Sequence, residues 1–309
     1  MELPQVVSMP SMPDSITIYE VGARDGLQNE KTVVPTEVKA QFIERIIDAG
    51  LETVELTSFV PPSWIPQLAD APALMERLGH LGKGAKRPVL VPNERGLENA
   101  LAAGVGAVAV FGSATETFAR KNLNRSVDES LAMFAPVVSR AQDAGLWVRG
   151  YVSMCFGDPW EGPVPIGQVV DVCRKLMDLG CDQLSLGDTI GVATAGHVTA
   201  LLAALDDKGI GSDRIGVHFH DTYGQALANT VTALGHGIRV VDASTGGLGG
   251  CPYAKSATGN LATEDLVWMC RGLGIETGVD LDKLVATSVW MAEQLGRPSP
   301  SSVVKALAG

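Results

Sequence analysis

Short apolar runs alternate with amphipathic segments along the whole chain. The apolar runs are rich in β-branched residues and span residues 15–22, 53–59, 87–93, 107–114, 147–154, 183–189, 215–221 and 239–245. Such uniformly apolar runs are typical of parallel strands that are covered on both faces. Eight strand–helix units in one chain favour a (β/α)8 barrel, the TIM barrel of the α/β class, over a doubly wound sheet.

The segments between the apolar runs have the periodicity of helices. In one of them, apolar residues recur at a helical spacing and a glycine ends the run, namely Val38, Phe42, Ile46 and Gly50. Ser126 with Glu129 three residues later predicts a capping box at the start of another helix, which ends near Gly145. Residues 280–296 predict an additional C-terminal helix, and the following GRPSPSS is predicted to be a loop.

No linker-like stretch divides the chain of 309 residues, so we predict one catalytic barrel domain. The barrel and the extra helix are expected over about residues 15–295, with residues 1–14 and 296–309 peripheral. The formal net charge of −11 disfavours binding to nucleic acid, which depends on Lys and Arg at phosphates. No apolar run approaches the roughly 20 residues that a membrane helix needs. We therefore expect neither nucleic acid nor membrane as a partner.

The five cysteines form no CxxC pair, which is typical of reduced thiols rather than of a disulfide framework. The first residues are too polar for a signal peptide and lack the Arg-rich character of a transit peptide. These features predict a cytoplasmic location. Four of the thiols, Cys155, Cys173, Cys181 and Cys270, lie in apolar surroundings and are expected to be buried.

Polar residues collect at the carboxyl ends of the predicted strands. In a barrel these ends share one face, where active sites form. The residues are Glu20, Arg24, Asp25, Glu55, Asn93, Ser113, Tyr151, Ser153, Asp188, His218 and His220. His218 and His220 stand at i and i+2 on a strand, so both rings point the same way and form a candidate metal pair with Asp25. The alternative is two histidines hydrogen-bonded within the barrel.

Carboxylates in apolar strands need a partner or a function. For Glu20 and Glu55, an ion pair with Arg24 and a direct role in proton transfer are equally open. For Arg24 and Asp25 the alternative to an oxyanion-binding and metal-binding role is a surface salt bridge. Asp188 follows a glycine at a strand end, where the structural alternative is a helix N-cap. His80, His197 and His236 have no such neighbours and are expected to face solvent or bond locally.

The last predicted strand leads into GGLGGCPYAKSATGNLATED, residues 246–265, where glycines surround Cys251. Glycines allow the backbone to bend over a ligand, so a thiol on such a loop can approach a substrate. The motif EVGARDGLQNE at the first strand is equally specific, and the blocks ELTSFVPPSWIPQLAD, VRGYVS, SLGDTIGV and VHFHDTYGQALANT accompany it.

These motifs cover nearly the whole chain, which resembles the 3-hydroxy-3-methylglutaryl-CoA lyases. That family belongs to a metal-dependent superfamily of TIM barrels that also contains isopropylmalate, citramalate and homocitrate synthases. The chain departs from the lyase pattern at Met154 and Asp158, where lyases often have cysteines, and at Ser256, which is often a glycine.

The resemblance implies Mg²⁺ or Mn²⁺ bound by Asp25, His218, His220 and Asn260. It also implies catalytic roles for Arg24, Cys251, Asp188, Glu55 and Glu20. We expect Arg24, Ser58 and Ser185 to contact an acyl-CoA substrate, and a homodimer or higher homo-oligomer. The implied reaction is a retro-Claisen cleavage to acetyl-CoA and acetoacetate. In it Asp188 or a histidine is the base, Arg24 holds the enolate oxygen and Cys251 delivers a proton.

Three alternative hypotheses for the function remain. The first is the same chemistry on another 3-hydroxyacyl-CoA, such as a longer branched 3-hydroxyglutaryl-CoA or citramalyl-CoA. The second is a Claisen-type condensing enzyme of the same superfamily, although those enzymes usually carry a C-terminal accessory region and lack the GGCPYA loop. The third is a metal-binding barrel without catalysis, which the presence of base, cation, ligands and thiol together disfavours.

Overall fold

Eight parallel strands form the centre of the molecule. The computed structural model describes residues 5–250 and 259–308. Its strands are β1 (Thr17–Glu20), β2 (Thr53–Val54), β3 (Val89–Leu90), β4 (Ala107–Ser113), β5 (Trp147–Ser153), β6 (Gly157–Asp158), β7 (Gly162–Pro163), β8 (Gln183–Asp188), β9 (Ile215–Phe219) and β10 (Val240–Ala243). The large sheet has the order β2-β1-β10-β9-β8-β5-β4-β3, and β6 pairs with β7 in a separate antiparallel hairpin.

The two ends of the large sheet meet and close it into a barrel. The segment that continues β2 runs beside β3, where Ser58 and Leu90 form a parallel bridge. The Phe59 N–H donates to the Leu90 carbonyl at 2.8 Å, and the Leu90 N–H donates to Thr57 at 3.0 Å. This closure confirms the predicted (β/α)8 barrel.

The helices surround the strands. They are α1 (Thr36–Asp48), α2 (Ala71–Leu78), α3 (Glu94–Ala102), α4 (Glu116–Leu123), α5 (Val127–Asp143), α6 (Ile166–Leu179), α7 (Ala195–Asp206), α8 (Ala226–Gly235), α9 (Thr263–Leu273), α10 (Leu281–Leu295) and α11 (Ser302–Leu307). Helix α1 buries Phe42 and Ile46 against the barrel, as its apolar spacing predicts. The capping box of Ser126 and Glu129 is present at the start of α5. No helix in the described ranges is long and apolar enough to cross a membrane.

The C-terminal region contains one helix more than the sequence predicted. Helix α10 is the expected extra helix. The predicted loop GRPSPSS ends one residue early, because Ser302 already belongs to α11. The Ser301 hydroxyl caps α11 by accepting from the Val304 N–H at 3.1 Å, and it donates to Asp265 on α9 at 2.7 Å. These contacts hold a helix too short to show a periodicity of its own.

The interior of the barrel is polar as well as aromatic. Tyr19, Leu90 and Tyr151 pack there in a cluster separate from the main core. Arg149 on β5 is fully buried among them, and its guanidinium carbon lies 3.8 Å from the centroid of the Tyr19 ring. A buried cation needs an anionic partner, and Asp242 on β10 is that partner, with its Oδ1 2.7 Å from Arg149 Nη2.

Candidate active site

Three candidate metal ligands meet at the carboxyl ends of β1 and β9. Asp25 lies in a single π-helical turn, Gly22–Gly26, that directly follows β1. His218 is on β9, and His220 directly follows the last residue of that strand. The two histidines are two positions apart, so their rings share one side of the strand. One ligand atom from each of the three residues lies within 4.8 Å of the others. The His218 Nε2 is 3.2 Å from the His220 Nε2 and 3.9 Å from the Asp25 Oδ2.

Asn260 completes the cluster. It forms an antiparallel bridge with His220, and its Nδ2 donates to Asp25 Oδ2 at 2.9 Å and to the Leu248 carbonyl at 3.0 Å. The buried Asn260 Oδ1 has no hydrogen-bond partner among the described residues. Buried polar atoms normally have partners, so an orphaned acceptor beside a carboxylate and two imidazoles fits a bound cation. The set of oxygen and imidazole ligands suits a hard divalent ion.

The protonation states of Asp25 and His220 also favour a cation. Burial alone raises the pKa of Asp25, but the charge of Arg24 together with the two histidine rings and the hydrogen bond from Asn260 outweighs burial and lowers this pKa to about 2. The carboxylate is therefore ionised. Burial and the neighbouring His218 ring lower the pKa of His220 to about 4, which leaves a neutral imidazole able to act as a ligand. Burial lowers the pKa of His218, but the hydrogen bond to Asp242 and the negative charges of Asp242 and Asp25 together outweigh burial and raise this pKa.

Arg24 is held at the edge of this cluster by two carboxylates. Its Nε donates to Glu55 Oε2 at 2.7 Å, and its Nη1 donates to Asp25 Oδ1 at the same distance. The Tyr151 hydroxyl also donates to Glu55 Oε2, at 3.0 Å. Because Arg24 is only 6 % exposed, its ion pairs are buried, which rules out the surface salt bridge that was the alternative to a functional role. The cation is oriented before any substrate arrives.

The two buried glutamates therefore have different surroundings. Glu55 takes the ion pair with Arg24. Glu20 accepts from the N–H groups of Gly22 and Thr245 at 2.8 Å and from the Thr263 hydroxyl at 2.6 Å. Glu20 thus joins the ends of β1 and β10 to the start of α9 and lies outside the ligand cluster.

Asp188 lies at the end of β8 and accepts hydrogen bonds from the backbone that follows it. The N–H groups of Val192 and Ala193 donate to its two oxygens at 2.9 and 3.0 Å. These bonds fix the loop that precedes α7, whose N-cap is Thr194, so Asp188 is not the helix N-cap that was the structural alternative. Burial nevertheless outweighs these hydrogen bonds and raises the pKa of Asp188 to about 6.

The two serines expected at the substrate have different environments. The Ser185 hydroxyl donates to Asp242 Oδ2 at 3.0 Å, so it forms part of the hydrogen-bond network inside the barrel. The Ser58 hydroxyl is buried and has no hydrogen-bond partner among the described residues. At two other strand ends the polar residues bond locally: Asn93 caps α3, and the Ser113 hydroxyl donates to the Thr115 carbonyl.

The histidines and cysteines assigned to structural roles behave as predicted. His197 and His236 bond to nearby threonines, and His80 is exposed. The four cysteines in the described ranges are all buried. Cys251 and Ser256 fall outside the described residues. The residue before Cys251, Gly250, accepts a hydrogen bond from the Asn29 side chain at 2.9 Å.

A cleft of about 350 Å³ opens above the cluster. Its polar end contains Arg24, Asp25, His218 and His220, and its other walls include Trp64 and Phe118. Gly250 also lines it. A pocket with a cationic, metal-ligating end and apolar walls suits a ligand with a carboxylate head and an acyl chain.

Two charged residues of the site escaped prediction from the sequence. Asp242 on β10 accepts two hydrogen bonds from Arg149, at 2.7 and 3.0 Å, and its Oδ2 lies 3.1 Å from His218 Nδ1. Arg149 lies within WVRGYVS and Asp242 within RVVDAST, two otherwise apolar strands. A charge in a buried strand requires a partner, so these two residues could have been predicted to pair with each other.

The fold and this site define a barrel enzyme whose catalytic face is built to hold a divalent metal beside a buried cation. A family model described as HMGL-like matches residues 15–290, and the chain belongs to this family. The resemblance to hydroxymethylglutaryl-CoA lyases is thereby confirmed.

Named relatives agree with this membership. A mitochondrial hydroxymethylglutaryl-CoA lyase of Mus musculus is 50% identical over 97% of this chain and 91% of the relative. One of Arabidopsis thaliana is also 50% identical over 96% of this chain, which spans only 63% of that longer protein. A solved HMG-CoA lyase of Acinetobacter baumannii, in complex with coenzyme A and 3-methylmalate, is 34% identical. Its TM-score is 0.89, and the match covers 97% of each chain.

Proposed function

We propose that this protein cleaves 3-hydroxy-3-methylglutaryl-CoA into acetyl-CoA and acetoacetate by a retro-Claisen reaction. The observation that carries the proposal is the cluster of Asp25, His218 and His220 beside Arg24 in one cleft. A tertiary hydroxyl must lose a proton, and a thioester must accept negative charge, in the same small space. The membership of the chain in the HMGL-like family supports this reaction class.

The proposed metal is Mg²⁺ or Mn²⁺, held by Asp25, His218, His220 and the amide oxygen of Asn260. Such an ion would supply Lewis acidity, which would lower the pKa of the substrate's C3 hydroxyl. The carboxylate and amide oxygens are ligands that suit a hard ion such as Mg²⁺ or Mn²⁺. The ionised state of Asp25 and the neutral state of His220 suit this role.

Arg24 is proposed to stabilise the charge that forms on the substrate. As the C2–C3 bond breaks, its electron pair moves into the thioester and forms an enolate. A buried guanidinium that is already fixed by Glu55 and Asp25 does not reorient during the reaction, which makes its charge effective. Glu55 contributes by holding Arg24, and Tyr151 contributes by holding Glu55.

Two protons must move. The C3 hydroxyl proton goes to a base, for which Asp188 and a histidine of the cluster remain the candidates. A carboxyl whose pKa is about 6 is well matched to proton transfer near neutral pH. The enolate carbon C2 gains a proton from Cys251 or through it. Gly250, the neighbour of Cys251, lines the cleft, which supports this assignment.

The removal of metal tests the proposal. Chelated protein is expected to release no acetyl-CoA from 3-hydroxy-3-methylglutaryl-CoA, and addition of Mg²⁺ or Mn²⁺ should restore release. His218→Ala should lower metal affinity and turnover together. His236→Ala is the matched control, because His236 is exposed and its ring bonds to Thr199 on α7. Full activity in metal-free protein would exclude the proposed mechanism.

The acyl specificity is tested in the same assay. A panel that includes citramalyl-CoA and longer branched 3-hydroxyglutaryl-CoA thioesters should give the highest kcat/KM for 3-hydroxy-3-methylglutaryl-CoA. A higher kcat/KM for another thioester would support the retro-Claisen reaction but show that the proposed substrate is wrong. The A. baumannii structure with coenzyme A supports an acyl-CoA ligand. Relatives are named both cytoplasmic and mitochondrial, so the cytoplasmic location stays a prediction. The homo-oligomer also stays a prediction.

A further inference from the structure

Asp242 lies behind the candidate metal site rather than in it. It is fully buried on β10 and stands opposite His218 of β9 in the register of the sheet. Its Oδ2 is 3.1 Å from His218 Nδ1, the ring nitrogen that faces away from Asp25 and His220. His218 Nε2 is the nitrogen that approaches the other two ligands.

The Asp242 carboxylate is fixed by donors on two further strands. Arg149 on β5 donates to both of its oxygens, at 2.7 and 3.0 Å, and Ser185 on β8 donates at 3.0 Å. A carboxylate with a bidentate arginine can only accept hydrogen bonds. His218 must therefore carry its proton on Nδ1, and the lone pair on Nε2 is directed at the cluster.

We propose that Asp242 is a positioning residue for the metal ligand His218, and that Arg149 and Ser185 position Asp242 in turn. The proposal rests on the metal site proposed above. Carboxylates that bind the second nitrogen of a ligating histidine set its tautomer and orientation, and their loss commonly weakens metal binding by about 10–100-fold. The competing explanation is that Asp242 only neutralises the buried charge of Arg149.

The variant Asp242→Asn separates these explanations. Asparagine keeps the shape but has a single oxygen, for which Arg149 competes. The amide N–H group is then left to face His218 Nδ1, which favours a ring proton on Nε2 and blocks the ligand atom. We expect Mn²⁺ to bind about 10–100-fold more weakly in a titration followed by electron paramagnetic resonance. In metal-free protein, ¹⁵N spectra of the histidine rings should show the change of tautomer.

Asp70→Asn is the matched control. Asp70 forms an ion pair with Lys39 at 2.7 Å, and Lys39 is only 1 % exposed, so the control also leaves a buried cation without its carboxylate. The side chain of Asp70 accepts from Thr36 and Lys39, neither of which is a proposed metal ligand. Its Mn²⁺ affinity should equal that of the unmodified protein, even if its midpoint of thermal unfolding falls.

A double variant keeps the test valid if Asp242→Asn does not fold. Arg149→Met with Asp242→Leu removes both charges, and apolar replacement of a buried ion pair is often tolerated. The folded double variant should still bind Mn²⁺ at least about tenfold more weakly. Unchanged Mn²⁺ affinity in either folded variant would overturn the positioning role and leave the metal site intact. If the unmodified protein binds no Mn²⁺, both the metal site and this role are wrong.

Discussion

Arg24 combines two properties that rarely coincide, a permanent charge and almost complete burial. Its contacts with Glu55 and Asp25 stabilise the charge in the resting protein. A developing oxyanion would add to these contacts rather than create the site. Arg24 therefore has two roles: its ion pairs stabilise the carboxyl end of the barrel, and its charge is proposed to stabilise the enolate.

We predict that Arg24→Gln lowers kcat by about 10²–10³-fold or more, because one charged donor is lost from a closed site. The secondary structure, followed by circular dichroism, should remain. Turnover close to that of the unmodified protein would show that Arg24 is structural. Loss of folding would show that its ion pair with Glu55 dominates.

We predict that Cys251 is the fastest-reacting thiol and that alkylation of it inactivates the protein. Burial raises the pKa of Cys173, Cys181 and Cys270 to about 12, and that of Cys155 well above its usual value, so these thiols hold little thiolate. Peptide mapping after partial alkylation should find the label on Cys251 first, and substrate should protect it. First labelling of a buried cysteine, or a fully active Cys251→Ser protein, would remove Cys251 from the mechanism.

Residues with local sequence signals could be predicted, and residues with distant partners could not. His218 and His220 stand two apart on a strand, so their common direction follows from the sequence alone. Asp242 and Arg149 are 93 positions apart, and their meeting depends on how the strands curve around the barrel. For the same reason the sequence could not decide which of Glu20 and Glu55 pairs with Arg24.

The ends of elements were harder to predict than their presence. All eight predicted apolar runs contain a strand of the barrel, yet β2 and β3 each have two regularly paired residues. Continuous apolar character reports burial on both faces and does not report where hydrogen bonding is regular. The hairpin of β6 and β7 and the short α11 lack any periodicity that could have predicted them.

Helix α9 carries a buried acid that links three elements. The Glu264 carboxylate accepts from the Gly246 N–H at 2.9 and 3.1 Å and from the Ser288 hydroxyl of α10. Burial raises the pKa of Glu264 to about 8. This group therefore binds its proton more tightly in the folded state than in the unfolded chain, whose glutamates titrate near pH 4.3.

We predict that this difference makes the free energy of unfolding fall as the pH rises from about 4.5 to about 8. The contribution of Glu264 is complete below the lower limit and lost above the upper one, with a slope of at most about 1.4 kcal/mol per pH unit. Glu264→Gln should flatten the slope in urea unfolding measured between pH 5.5 and 8.5. The exposed Glu293→Gln on α10 is the control. An unchanged slope in Glu264→Gln would contradict the prediction.

At the scale of the whole molecule, the site is assembled from widely separated parts of the chain. Asp25 follows the first strand of the barrel, and Asn260 follows the last. The hydrogen bond between them therefore joins the two ends of the barrel sequence. Parallel strands require such distant pairings, and for this reason the cluster exists only in the folded barrel.

The unequal length of the strand pairs has a consequence for local unfolding. Strands β4 and β5 pair over seven residues, whereas β2 pairs with β1, and β3 with β4, over two each. We predict that backbone amides at 54–59 and 89–91 exchange with deuterium before those of β4 and β5, as followed by mass spectrometry. Simultaneous exchange would mean that the barrel opens only as one unit.

Local separation of β2 from β1 would detach Glu55 from Arg24, while β1, β10 and β9 would stay paired. The three proposed metal ligands, Asp25, His218 and His220, would then remain together. Brief warming of the Mn²⁺-loaded protein should thus populate a form that still holds the proposed ion and has lost its oriented guanidinium, so that heat inactivation precedes metal release.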